Sequence, residues 1–223
     1  GSGSGATLGN DAGWRILTSP RAATTGGDID FQQASSGSIL YTWDGAAQEF
    51  VQEDLTTGSE LPSGEGFFLY LFDINNRDQI DATPSTSCGT NDACINASGP
   101  LEAGSTFPSS ASFGVGDVSV TIPEVTANLG TEAGNVLGNP YAQSFDLSNL
   151  TLDGSTIGSG SEFQSTVQAW DPNTETFDIL DATLDEVAPW QGFWVLRQSG
   201  STEGEQTLTF ESAGRTSGAP YIP

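Results

Sequence analysis

A chain that carries the same pattern twice is constrained to fold as two copies of one unit, and this sequence does so in three blocks. Gly13-Trp14-Arg15-Ile16-Leu17-Thr18-Ser19-Pro20 returns as Ala133-Gly134-Asn135-Val136-Leu137-Gly138-Asn139-Pro140. Tyr41-Thr42-Trp43-Asp44, followed by Phe50, returns as Gln168-Ala169-Trp170-Asp171, followed by Phe177. Leu61-Pro62-Ser63-Gly64-Glu65-Gly66-Phe67-Phe68 returns as Val187-Ala188-Pro189-Trp190-Gln191-Gly192-Phe193-Trp194. The offsets are 120 residues from Ile16 to Val136, 127 from Trp43 to Trp170 and 126 from Gly66 to Gly192. Three blocks in one order at nearly constant offset are the signature of an internal duplication. Such a chain reads as a modular scaffold before it reads as the frame of a single active site.

The type of unit follows from periodicity. Helical spacing is nearly absent, and short runs of Val, Ile, Thr, Phe and Trp lie between Gly, Ser, Asn and Asp clusters. This is the pattern of an all-β protein, here an antiparallel β-sandwich architecture built from two repeated units. Strands are predicted at 14–17, 38–43, 67–72, 118–122, 135–137, 167–170, 192–196 and 206–210. Trp43-Asp44 and Trp170-Asp171 run into tight turns, and Phe50 and Phe177 open the return strands. Pro20 and Pro140 end the first strand of each copy, because proline cannot donate to a ladder. The organisation expected is a linker over 1–12, a first repeat over 13–126 with an insertion at 73–105, a second repeat over 127–217, and a tail over 218–223. Gly1, rather than Met, opens the chain, so it reads as processed or as a segment of something longer, with Gly1–Gly5 a flexible linker.

Charge narrows the partners. Of the ionisable residues, 29 are acidic and 5 basic, a formal net charge of −24, and Lys, His and Met are absent. A field of that sign repels nucleic-acid phosphates and anionic lipid. No apolar run is long enough to span a membrane. The lack of lysine goes beyond mere acidity and reads as adaptation to high salt, where carboxylate repulsion is screened. Cys88 and Cys94 bracket a turn-rich run, and the expected pairing is a disulfide formed in an oxidising exterior. Without His or a second Cys pair, zinc is poorly supported.

The second copy resembles a repeat of secreted and surface proteins of Bacteroidota, of the kind exported by the type IX route. The residues carrying the resemblance are Val136, Leu137, Gly138, Asn139, Pro140 and Tyr141; Trp170, Asp171 and Pro172; Pro189, Gln191, Gly192, Phe193, Trp194 and Val195; and Leu208, Thr209, Phe210 and Arg215. The first copy keeps Trp14, Pro20, Trp43, Asp44, Gly66 and Phe67 but lacks the Asn before its Pro. The resemblance implies a β-rich fold and an extracellular or cell-surface location, and says little about activity.

Few residues point to chemistry. Trp14, Trp43, Trp170 and Trp194 lie on repeated strands and read as a shared core before a sugar platform. Trp190 differs: it sits in a turn where the first copy has Gly64, which makes it a candidate contact residue, with Tyr221 and Ile222 of the tail. Asp73, Asn75, Asp78 and Asp81 offer oxygens at a spacing reminiscent of calcium loops, though the turn Gly and distal Glu of an EF-hand are missing. No cofactor and no catalytic residue is assigned. Without His there is no Ser-His-Asp arrangement, and without Lys no Schiff base. The leading expectation is a non-catalytic extracellular structural or adhesive module, such as the subunit of a surface filament, that associates with itself or with neighbouring surface modules. A carbohydrate-binding module and a secreted hydrolase are the alternatives. An exposed aromatic row in a groove would favour the former, and a carboxylate pair in a cleft the latter.

Overall fold

The computed structural model describes residues 13–18, 24–25, 31–32, 39–53, 60–71, 94–95, 116–126, 133–158, 161–171, 174–198 and 204–216. The strands of the first copy are β1 (Gly13–Thr18), β2 (Thr24–Thr25), β3 (Phe31–Gln32), β4 (Ile39–Asp44), β5 (Glu49–Glu53), β6 (Glu60–Leu61), β7 (Gly66–Leu71) and β8 (Cys94–Ile95). A linking strand β9 (Val118–Ile122) follows. The second copy contributes β10 (Gly134–Gly138), β11 (Ser144–Asp146), β12 (Leu150–Leu152), β13 (Ser155–Thr156), β14 (Phe163–Asp171) and β15 (Thr176–Asp181). It closes with β16 (Glu186–Val187), β17 (Gly192–Arg197), β18 (Gln206–Phe210) and β19 (Arg215–Thr216). Single turns of 3-10 helix lie at Leu147–Asn149 and Ser212–Gly214. The fold is all-β with every ladder antiparallel, as expected.

The duplication is written in the pairing. The first copy forms a sheet of order β1-β7-β4-β5, and the second a sheet of order β10-β17-β14-β15. Ile16 pairs with Phe68 as Val136 pairs with Trp194, and Trp43 with Phe50 as Trp170 with Phe177. The small sheets repeat too. Thr24 pairs with Leu61 as Phe145 does with Val187, and Phe31 with Ile95 as Thr151 with Thr209. Cys94–Ile95, inside the insertion expected over 73–105, thus takes a place in the first copy's pairing like that of Leu208–Thr209 in the second. Even the turn strain is duplicated, with Gln48 at φ 57° and Glu175 at φ 54° closing the two main hairpins.

The inner strands β7 and β17 are covered on both faces at their described positions, which is why they read as nearly continuous apolar runs, GFFLYL and GFWVLR, rather than as alternation. In the second copy one face, with Phe193, Val195, Val167 and Ala169, packs into a core shared with Phe145, Leu147, Leu150, Phe163, Leu208 and Phe210. Each of these large side chains contributes roughly 1.5–3 kcal/mol by leaving water. In the first copy Leu17, Leu40, Phe67 and Leu69 are buried, and alternation along their strands puts them on the corresponding face. The opposite faces meet. Ile16, Phe68 and Val136 form a cluster against which Trp14, Tyr41, Trp43, Trp170 and Trp194 pack. The two main sheets are thus set back to back.

One strand departs from the order of the sequence. Val118–Ile122, expected at the end of the first repeat, pairs with Gln206–Phe210 and sends Val120 and Ile122 into the second copy's core. The chain then returns to the first copy, where the Thr126 N–H donates to the Ala46 carbonyl at 2.9 Å.

Candidate binding groove between the repeats

The joint between the two main sheets is built from reciprocal contacts, so its two copies are related by an approximate twofold rotation. The Thr18 N–H donates to the Trp190 carbonyl at 3.0 Å, and the Gly138 N–H to the Gly64 carbonyl at 3.0 Å. Leu17 bridges to Gln191, and Leu137 to Glu65. The Trp43 indole N–H donates to the Gly134 carbonyl at 2.8 Å, and the Trp170 indole N–H to the Trp14 carbonyl at 3.0 Å. Each donor and acceptor in one copy has its counterpart in the other, as an isologous interface requires.

The Gly-Phe motif shared by the repeats is explained here. A Cβ on Gly66 would stand 2.4 Å from a Val136 methyl and 2.8 Å from the Leu137 carbonyl oxygen. One on Gly192 would stand 2.5 Å from an Ile16 methyl and 2.8 Å from the Ile16 carbonyl carbon. The turn just before needs a left-handed residue, supplied by Gly64 at φ 89° in one copy and by Trp190 at φ 65° in the other. That conformation is strained for a bulky residue. Trp190 is half-buried rather than exposed, and its carbonyl serves the joint.

The twofold relation fails in one respect, and there the candidate site lies. On one side of the axis the space is filled. Gly134 has no side chain, Trp194 packs edge-on against Trp43 with ring centroids 4.8 Å apart, and the Gln48 amide both donates to and accepts from the Gly134 backbone at 2.8 Å. On the other side the corresponding positions are Trp14, Phe68 and Tyr41, the last replacing Gln168. There a groove of about 490 Å³ opens, lined by Trp14, Ile16, Tyr41, Phe50, Phe68, Trp170 and Phe177. Its size is that of a small-molecule site. Its rim is apolar and wet: Phe50 is 53% exposed and Phe177 41%, with Ile179 at 57% along the same strand as Phe177. Both belong to the outer strands β5 and β15 of their sheets, so the two main hairpins form the walls.

The rings do not lie flat. Trp14 and Tyr41 are inclined at 58°, Tyr41 and Phe50 at 77°, Phe50 and Phe68 at 84°, and Trp170 and Phe177 at 67°. Rings set edge to face make inside corners, not a platform.

A second, smaller pocket of about 180 Å³ beside Trp43 and Phe67 includes Glu53, Glu60 and Glu65 among its lining residues. Glu53 accepts from the Thr42 hydroxyl at 2.7 Å. Desolvation of its carboxyl raises the Glu65 pKa, although the residue as a whole is exposed. Among the described residues no group of three or more His, Cys, Asp or Glu is arranged to hold a metal ion.

The motif carrying the family resemblance is mostly a clamp. Fully buried Asn139 donates to the carbonyls of Gln143 and Ala188 at 2.7 and 3.0 Å and accepts from the Tyr141 N–H at 3.0 Å. The Tyr141 hydroxyl donates to the Phe210 carbonyl at 2.7 Å, and desolvation pushes its pKa up to about 12. Arg197, buried, pairs with Glu162 at 2.9 Å.

Of the residues singled out in the sequence, Trp14, Trp43, Trp170 and Trp194 come together at the joint, and Trp14 and Trp170 also line the groove. Cys88, the acidic run Asp73, Asn75, Asp78 and Asp81, and the tail residues Tyr221 and Ile222 lie outside the described residues. Cys94 is placed only as backbone, opposite Gln32. Sequence reasoning missed Tyr41, Phe50, Phe68 and Phe177 as groove residues. The available signal was that Tyr41 and Phe68 depart from their counterparts Gln168 and Trp194. No family model, curated protein or solved structure matches the chain. Among the described residues no helix is long and apolar enough to cross a membrane.

Proposed function

We propose that this chain is a non-catalytic extracellular adhesive module in which a duplicated β scaffold holds one aromatic groove against a partner. The observation carrying the reading is the lining of that groove. Among the described residues it is six aromatic side chains and one isoleucine, without a carboxylate, thiol or aliphatic hydroxyl. Such a surface desolvates and grips, but offers no general acid, base or strong nucleophile beyond the Tyr41 phenol. The extracellular location follows the resemblance to secreted Bacteroidota repeats and the expected disulfide between Cys88 and Cys94.

Carbohydrate binding is the second reading, favoured by the number of rings in the groove. The mutual inclination of those rings speaks against it, because sugar faces stack best on coplanar platforms. Retention on solid phases decides. The wild-type chain and the Phe50→Ala/Phe177→Ala double variant are passed over insoluble neutral polysaccharides and over resins bearing alkyl, aryl or alkylammonium groups. Retention of the wild type with loss in the variant, at matched melting temperature, is the expected result. No retention on any phase, or equal retention of both proteins, overturns the reading; retention on polysaccharide alone transfers it to carbohydrate.

The same proposal includes adaptation to high salt. With a net charge of −24, self-repulsion acts over a Debye length of about 10 Å at 0.1 M and about 3 Å at 1 M. The melting temperature therefore rises from dilute buffer to molar salt, and an unchanged or lower value removes the halophilic reading.

A further inference from the structure

We infer that the groove takes an alkylated ammonium group carried on an apolar body, which rests on the groove being the contact surface and names what it contacts. Three observations converge. First, the walls are ring faces and edges set at 58° to 84° to one another, so a compact body in the groove meets π-faces from several directions. Ring faces carry the negative lobe of the quadrupole and attract a desolvated cation, the more so when more than one face is presented. Second, the groove is apolar. A hydroxyl-rich or strongly hydrated ligand would lose hydrogen bonds to water that this lining does not replace, whereas an ammonium wrapped in methyl or methylene groups carries little hydration to lose.

Third, the field around the groove is negative, since the chain carries a formal net charge of −24. The two hairpins, residues 39–53 and 163–181, carry Asp44, Glu49, Glu53, Asp171, Glu175, Asp178 and Asp181 and no basic residue. A field of that sign draws in cations and turns away phosphates and carboxylates. Charge alone would equally hold sodium. The aromatic lining alone would equally hold a neutral hydrocarbon. Only a cation with an apolar surface uses both.

The occupied twin site sharpens the point. Across the twofold axis, Gly134, Gln168 and Trp194 replace Trp14, Tyr41 and Phe68, and Trp43 packs against Trp194 where the groove would be. One cation site per chain is therefore expected, not two.

The test uses choline as the cation and 3,3-dimethylbutan-1-ol as its uncharged isostere, titrated into the whole chain at fixed ionic strength with sodium chloride as balance. The readouts are tryptophan fluorescence, since Trp14 and Trp170 line the groove, and the ligand-induced rise in melting temperature. The expected result is saturable binding at one site per chain, with choline at least about fivefold tighter than the isostere, and loss of at least that factor in Phe177→Ala and in Tyr41→Gln, which copies the twin site. Phe177 is an exposed residue, so its variant keeps the fold; Gln168→Ala, on the twin side, leaves binding unchanged. Equal affinity for both probes overturns the inference while leaving the groove a binding surface. No binding of choline overturns it as well, and retention on the solid phases then decides the groove independently. Choline binding that survives both groove variants places the cation elsewhere and overturns it.

Discussion

The two sides of the joint began as the same surface and now do opposite things. The filled side is made rigid by a missing side chain: Gly134 admits Trp194, whose ring carbons would lie 2.9–3.0 Å from any Cβ there, and the Gln48 amide seals the backbone. The open side keeps a side chain at the same position, Trp14, and sets it beside Tyr41. Glu175, the counterpart of Gln48, stays exposed. Duplication supplied a scaffold with matched halves; divergence at three or four positions on the shared face created the asymmetry. Contacts that both halves need, the indole-to-carbonyl bonds and the close approach at Gly66 and Gly192, stayed reciprocal. Groups that only fill space were free to differ.

The largest effect is expected where the reciprocity is tightest. Gly192→Ala drives a methyl group into the Ile16 backbone, which cannot yield as a side-chain tip would. Overpacking of this kind costs about 2–3 kcal/mol, roughly 5–10 °C in a chain of this size. Calorimetry should show Gly66→Ala to be of the same order, because it meets the Leu137 carbonyl. A shift under a degree in both would mean that the two main sheets are not held as described.

Next comes a test of what belongs to one half alone. The Tyr141 phenol, hydrogen-bonded and desolvated, has its pKa raised from 10.0 to about 12. A folded-state pKa above the unfolded one means that the folded chain holds the proton more tightly. The neutral phenol's contribution is complete below pH 10 and is lost between pH 10 and about 12. The first copy has Arg21 at this place in sequence. Denaturant melts across that range should show a falling limb in the wild type that is flattened in Tyr141→Phe. A limb of equal slope in both would assign the alkaline loss elsewhere.

Much of this was legible in the sequence, and the reason for the remainder is specific. Strands 118–122 and 206–210 were placed within their bounds, and the repeat blocks predicted two like units, because local composition and a fixed offset carry that information. Which sheet Val118–Ile122 would join was not legible, since pairing with Gln206–Phe210 is a contact across more than eighty residues. The groove was hidden for a related reason. Trp14, Trp170 and Phe68 have the composition of core on every strand. Whether such a ring is covered depends on the residue facing it across a non-local joint, here Tyr41 where the twin has Gln168. The motif Gly-Phe-Phe read as an ordinary strand; its glycine is required by the neighbouring repeat, which no window of local sequence contains.

A smaller effect separates the indoles. Trp43→Phe and Trp170→Phe each remove one hydrogen bond across the joint, to Gly134 and Trp14 respectively. Each acceptor keeps a second donor, Gln48 in one case and Arg15 in the other. Both variants should lose about 1 kcal/mol. Only Trp170→Phe should also weaken retention on the solid phases, because Trp43 lies outside the groove. Equal loss of retention in both would break the distinction between an open and a filled side.

The smallest effect is the most local comparison of all, the residue before each shared glycine. Glu65 and Gln191 occupy matching turns: the Glu65 N–H donates to the Pro62 carbonyl at 3.2 Å, the Gln191 N–H to the Ala188 carbonyl at 3.3 Å. Gln191 is buried, and its side-chain oxygen accepts from the Ala188 N–H at 3.2 Å. Pro62 has no N–H to offer, so the first copy cannot use that bond, and it carries a carboxylate in its place. Desolvation raises the pKa of that carboxylate, so ionising it is harder in the folded chain than in the unfolded one. The wild type therefore gives up stability as pH rises through and above the ordinary value of 4.5. Glu65→Gln removes the penalty without adding the missing bond. With solvent screening of an exposed residue, the gain is a few tenths of a kcal/mol at pH 7. It should vanish below pH 4, where the wild-type carboxyl is protonated in both states. Denaturant melts of the two proteins at pH 7 and at pH 3.5 measure it. A variant less stable at pH 7 would show that the Glu65 charge is favoured in the joint, and a difference that does not change with pH would show that ionisation of Glu65 is not its source.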